Sequence, residues 1–256
     1  MGLRKVIYYS QPRFIFIDMK KVIQKICEKI VNEYKKDNNV LGIALFGSAA
    51  KKKFDQYSDI DIYILLKKKS DYSRLNFVKN NMRVDIILDT VKEAESFLKK
   101  DKFNIKRNTS HMLAHGKILY RASSNLDRIV TKAKRNLELP TKYTKNEILM
   151  HKYSIDDFWG EVRRDIKNGD YTAFGLDSQL LLNNIIELFL KLKGEFGRKP
   201  NEMFKILSKL DKKFAYKIKN FYKASNMKAK KEILGELVVY IDKKSNGLLP
   251  EKWAIK

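Results

Sequence analysis

Apolar residues recur at helical spacing over residues 19–34, where Val22, Ile23, Ile26, Ile30 and Val31 form one stripe. The period then changes. Runs at 41–46, 60–66, 83–88 and 117–120 are short and rich in branched side chains, and they predict strands. Between or after them the pattern predicts short helices at 49–54, 91–99 and 125–137. Beyond Pro140 every apolar run returns to helical spacing, predicting helices at 145–167, 171–192, 201–209, 212–224 and 228–243. Gly194, Gly197 and Pro200 punctuate one turn, and Gly247 with Pro250 ends the last helical region. The change of texture places a boundary near 139–141. The expectation is an α+β chain: a first domain, 1–139, with a mixed sheet flanked by helices, and an all-α helical bundle over 140–256.

Composition changes this picture in three ways. At 256 residues and 44% hydrophobic content the chain is long enough to bury a proper core, and an ordered chain is expected. Its single cysteine, Cys27, excludes an internal disulfide framework and fits a reducing compartment. The N-terminal residues mix charge with aromatics and show no leader pattern, and no apolar run is long enough to span a membrane. A cytoplasmic protein without a membrane partner is expected. The formal net charge of +24 permits a polyanionic partner such as nucleic acid. Arginine, the better phosphate fork, supplies only 11 of the 54 basic residues, and lysine is spread along nearly every segment. The charge is therefore as consistent with general lysine enrichment as with a binding patch.

Candidate chemistry concentrates in one stretch, LFGSAAKKKFDQYSDIDIYILL, residues 45–66. Side chains alternate along a strand, so Asp59 and Asp61 share a face while Ile60, Ile62 and Ile64 point into a core. Two carboxylates in an apolar strand are costly unless something binds them. Hard oxygens at this separation suit Mg²⁺, which takes few carboxylates and keeps room for water and phosphate oxygens. RVDIILD supplies a third acid, Asp85; if its strand lies beside the first, three carboxylates can serve two ions. Upstream, Gly47 and Ser48 stand between a strand and a predicted short helix, where backbone N–H groups and a hydroxyl would face an anion without a Cβ in the way. The spacing of a Walker loop is absent.

Gly47-Ser48, ten residues, Asp59-Ile60-Asp61-Ile62 and the later strand residue Asp85 resemble the signature of the polymerase-β-type nucleotidyltransferase superfamily. The resemblance covers roughly residues 18–137, and HGKILYRASSNLDRIV is similar to the end of that domain in small bacterial and archaeal members. The helical remainder is similar in architecture to the C-terminal domain of kanamycin nucleotidyltransferase-like proteins. Arg121 departs from the pattern, since many relatives carry an acid after the Leu-Tyr pair. The resemblance implies that Gly47 and Ser48 contact a triphosphate, that Asp59 and Asp61 bind two catalytic Mg²⁺ ions, and that Asp85 ligates metal or accepts a proton. It implies a nucleoside triphosphate substrate, with ATP the expected donor, an acceptor hydroxyl, and a plausible homodimer. The acceptor stays open between a small aminoglycoside-like alcohol, RNA and protein, the last including antitoxin-type AMP transfer. A nucleotide-binding regulatory module without turnover is the alternative.

Other signals are weighed against plainer uses. Asp55 and Asp89 read as a loop acid and a strand-end acid. Lys51 is a candidate phosphate contact just beyond Ser48, although Lys51, Lys52 and Lys53 point in different directions around a helix and most are solvated. Asp157, Glu161 and Asp165 share one helix face; the kanamycin-type resemblance extends a general-base role loosely to Glu161, while a solvated acidic stripe paired with Arg and Lys is the simpler reading. His111 and His115 lack a third zinc ligand nearby. The spacing from Arg107 to His111 does not fit the ribonuclease motif of helical toxin domains, which argues against that activity.

Overall fold

The computed structural model describes residues 19–55, 57–140, 143–247 and 249–254. Residues 1–18, over which no leader is expected, lie outside the described residues, as do 141–142 at the expected boundary. The described residues pack into two compact units: a sheet unit running to Ala94 and resumed at His115–Val130, and a helical unit of Glu95–Ala114 and the residues from Thr131 onward.

In the sheet unit, helix α1 (Met19–Tyr34) precedes β1 (Val40–Phe46), a four-residue helix α2 (Gly47–Ala50) and β2 (Ile60–Leu66). Next come β3 (Arg74–Lys79), β4 (Met82–Thr90) and, later, β5 (Lys117–Arg121). The five strands lie in the order β3-β4-β2-β1-β5. Among the described residues only β2 and β4 run parallel; their register sets Ile60 beside Val84, Asp61 beside Asp85 and Ile62 beside Ile86. Alternation then sorts the two faces. Ile60, Ile62, Ile64, Val84 and Ile86 are fully buried in one core together with Ile26 and Ile30 of α1, and the acids point the other way. Cys27 is buried on α1, and that burial pushes its thiol up to about 11.

Strand β3 is absent from the sequence reading. It is an edge strand whose residues alternate between exposed and half-buried, so it carries little apolar signal. Its connection to β4 is the pair Asn80-Asn81, both at positive φ (50° and 59°). Two left-handed residues make the tight turn that matches strand twist, and Asn is among the few side chains that tolerate it.

The helical unit contains α4 (Asn108–Ala114), α6 (Lys145–Asn168), α7 (Tyr171–Leu192), α8 (Pro200–Leu210), α9 (Lys212–Lys223) and α10 (Met227–Lys244), and the chain crosses between units within α3 (Val91–Asp101) and α5 (Asn125–Glu138). Its core gathers Leu181, Ile185 and Phe189 of α7, Phe214 of α9 and Leu234 and Ile241 of α10. The helix ends are well specified: Thr144 and Glu147 form a capping box, and the side chains of Asp170, Asp211 and Asn226 cap α7, α9 and α10. The packing divides the chain elsewhere than a single cut after residue 139, for a polar reason. Buried Asn136 donates to the Leu98 carbonyl (2.7 Å) and to Ser110 Oγ (3.1 Å). Buried Arg107 donates to the carbonyls of Asn136 and Leu139 and stacks 4.2 Å from the Phe196 ring centre. These bonds tie 95–114 and the end of α5 to the helices. Among the described residues no helix is long and apolar enough to cross a membrane.

Candidate functional site

The acids stand at one end of the central strands. Asp59 is half-buried just ahead of β2, Asp61 is the second residue of β2, and Asp85 sits beside Asp61 on the parallel neighbour. On the other side of β2, Phe46 pairs with Asp61, so the chain leaves β1 at Gly47 directly against that carboxylate. Gly47 has φ +70°, and a Cβ added there would lie 1.8 Å from Asp61 Oδ2. Glycine is therefore required twice over: for the left-handed backbone and for the space the carboxylate fills. Ser48 follows, half-buried, in α2, which begins at Gly47 rather than at residue 49. Lys51 closes α2 and is exposed, as are Lys52 and Lys53.

Asp85 is only 4% exposed and is held by β3. Arg74 forms a fork on it: Nε donates to Oδ1 at 2.8 Å and a terminal nitrogen donates to Oδ2. Asn76, the register partner of Asp85, adds a bond from Nδ2 to Oδ1 (3.1 Å). The Arg74 guanidinium is fixed more firmly in its charged form, first by these bonds and the charge of Asp85 and further by attraction to Asp61 and Asp59. Sequence reasoning missed both Arg74 and Asn76, because the strand that carries them was not read; the Asn-Asn turn and the alternation of Leu75 and Phe77 were the available signals.

As the side chains stand, no three His, Cys, Asp or Glu residues among those described converge as metal ligands. Asp59 and Asp61 suit a hard cation that also takes phosphate oxygens and water. Asp85 does not fit as a third ligand in this arrangement, since both its oxygens are engaged by nitrogen donors. The remaining candidates separate cleanly. Asp55 organises its own loop with Ser58 and the Tyr57 N–H. Asp89 is buried, and burial raises it above the usual carboxylate range. In the helical unit Glu161 pairs with Arg164, Asp157 is exposed and Asp165 is buried, so the acidic stripe is split among three environments. His111 packs against Phe196 with ring centres 5.4 Å apart.

Residues 28–125 match the family model of the polymerase beta nucleotidyltransferase domain. This segment is a polymerase-β-type nucleotidyltransferase domain. The match spans β1, the Gly47 turn, β2, the β3–β4 hairpin and β5, and so contains Asp59, Asp61 and Asp85. No curated protein matches the chain. Among solved structures, the fold is similar to the crystal structure of a nucleotidyltransferase-like protein from Exiguobacterium sibiricum 255-15. That similarity has a TM-score of 0.50 at 13% sequence identity and covers 88% of this chain and 74% of the other. It extends the likeness in fold beyond the nucleotidyltransferase domain.

Proposed function

We propose that this domain transfers a nucleoside monophosphate from a nucleoside triphosphate to an acceptor hydroxyl. The observation that carries the reading is the juxtaposition of Asp61 with Asp85 on one side and with the Gly47 turn on the other. The turn offers backbone N–H groups and the Ser48 hydroxyl to the triphosphate, and Gly47 lets it approach. Asp59 and Asp61 would hold a divalent cation, Mg²⁺ by the chemistry of the donors, which when bound supplies positive charge against the oxygens of the reacting phosphate. The acids orient that charge, and Arg74 adds a fixed positive group beside them. As the acceptor oxygen bonds to the α-phosphorus, the bond to the bridging oxygen breaks and pyrophosphate leaves. The hydroxyl proton passes to a base outside the Arg74–Asp85 pair, since both oxygens of Asp85 already accept from nitrogen donors.

For the acceptor, a polynucleotide is favoured by a cavity of about 600 Å³ in the helical unit lined by Lys212, Lys213, Tyr216, Lys217 and Asn220, together with Ile233 and Glu236. Lysines beside an exposed aromatic ring fit a phosphate backbone with stackable bases. The test is transfer of α-phosphate label from each of the four NTPs, with Mg²⁺, to small alcohols, RNA and protein, using Asp61→Asn as control. Label in one acceptor class, lost in the variant, is the expected result. Nucleotide binding without pyrophosphate release would replace transfer by a regulatory nucleotide-binding role.

A further inference from the structure

We propose that Arg74 is the resident cation of the third acid, so that this nucleotidyltransferase site loads a single divalent ion, at Asp59 and Asp61, instead of two. The inference rests on the nucleotidyl-transfer reading above and specifies how its charge is supplied.

The arrangement follows from register. Asn76 faces Asp85 across the β3–β4 pair, and Arg74, two residues earlier, lies on the same face. Both side chains therefore reach one carboxylate. The fork is bidentate and the third bond comes from an amide, so neither oxygen of Asp85 is left without a donor. The carboxylate is almost fully buried while the Arg74 side chain is 64% exposed. The guanidinium thus caps the acid from the solvent side, the direction from which a hydrated ion would come. An ion at Asp85 would have to displace two charge-assisted bonds and then sit beside the displaced guanidinium, which is repelled by it. A buried carboxylate needs one counter-charge, and arginine, being permanently protonated, supplies it at every working pH. In the presence of a triphosphate the same guanidinium offers its outward N–H groups to phosphate oxygens, the partner for which its planar fork is shaped.

The experiment counts Mn²⁺ bound per chain, by calorimetry and by electron paramagnetic resonance, in the presence of a nonhydrolysable triphosphate analogue. The full chain is compared with Arg74→Gln and Asp85→Asn. One ion in the unaltered chain, two in Arg74→Gln, and an unchanged Mn²⁺ affinity in Asp85→Asn are expected. Two ions in the unaltered chain, or one in Arg74→Gln, would overturn the proposal. So would a loss of affinity of about tenfold or more in Asp85→Asn, the scale for removing a group that shapes a metal site. Asp85→Asn keeps the test decisive if Arg74→Gln fails to fold. Absence of any bound ion or nucleotide would overturn the nucleotidyl-transfer reading as well, an outcome distinct from a second ion.

Discussion

Each unit of the protein buries aspartates, and one from each, Asp85 and Asp165, are treated in opposite ways. Asp85 in the sheet unit is 4% exposed and is met by a guanidinium and an amide. Asp165 in the helical unit is 7% exposed, its Oδ2 has no hydrogen-bond donor among the described residues, and its charged neighbours are Asp177, which also hydrogen-bonds its carboxyl, Asp170 and Glu161. Burial, and then those like charges, raise the Asp165 carboxyl above the ordinary range. A buried acid met by a guanidinium has its charge balanced. One surrounded by acids is pushed toward its neutral form. The difference lies in the partners and not in the depth, which is why a carboxylate count alone does not find a site.

The strongest test of this contrast is activity. Asp61→Asn should reduce nucleotidyl transfer by about two orders of magnitude or more while the melting temperature stays close to that of the unaltered chain. Asp165→Asn should leave transfer within about threefold, the spread of context-dependent side-chain effects. If the two variants lost activity equally, the assignment of the sheet acids as the reacting end would fail.

Gly47→Ala comes next. It places a methyl group where Asp61 Oδ2 lies, 1.8 Å away, at a φ of +70°. The left-handed backbone alone costs about 1–2 kcal/mol for an alanine, and the carboxylate must move aside. A displacement of this size at a reacting group costs on the order of a hundredfold in rate. Lower thermal stability together with impaired transfer is expected. A variant that lost stability but kept full activity would separate the turn from the site.

These residues also show how far the sequence could be read. Strand β2 was legible to the residue because Ile60, Ile62 and Ile64 recur with period two in a branched apolar run entered by Asp59 and Asp61, as in a strand buried along most of its length. The long helices of the second unit were legible from apolar spacing and caps such as Thr144 with Glu147. The partners of Asp85 were not. Arg74 and Asn76 sit on an exposed edge strand, where burial imposes no pattern, and their contact with Asp85 depends on a hairpin register set by two asparagines. The division between units was hidden for a similar reason. It is decided by hydrogen bonds from Asn136 and Arg107 to distant carbonyls, which leave no periodic trace.

A smaller effect sharpens the comparison from the helical side. The raised folded-state value of Asp165 means that its contribution to stability is full below the unfolded carboxylate value, about 3.9, and is lost as pH rises through the raised value. Asp165→Asn removes that loss. The variant should melt above the unaltered chain at pH 7, and the two curves should converge as pH falls toward 4. Parallel curves across this range would mean that Asp165 is ionised without penalty, and the contrast with Asp85 would collapse.

The same distinction between matched and unmatched charge applies to the lysines of the cavity on α9 and α10. Lys217 is paired with Glu236, whereas Lys213 is exposed and has no ion pair among the described residues. An unpaired lysine that neutralises a phosphate releases a cation condensed on the polynucleotide, while a lysine already neutralised by a carboxylate releases less. If the cavity receives a polynucleotide, Lys213→Gln should flatten the dependence of log affinity on log salt by about one unit, and Lys217→Gln should change it much less. Fluorescence anisotropy with a labelled RNA across a salt series measures both slopes. Equal slopes for all three proteins would assign the positive charge of the cavity to the general lysine content of the chain, and leave the acceptor to be sought among small alcohols and proteins.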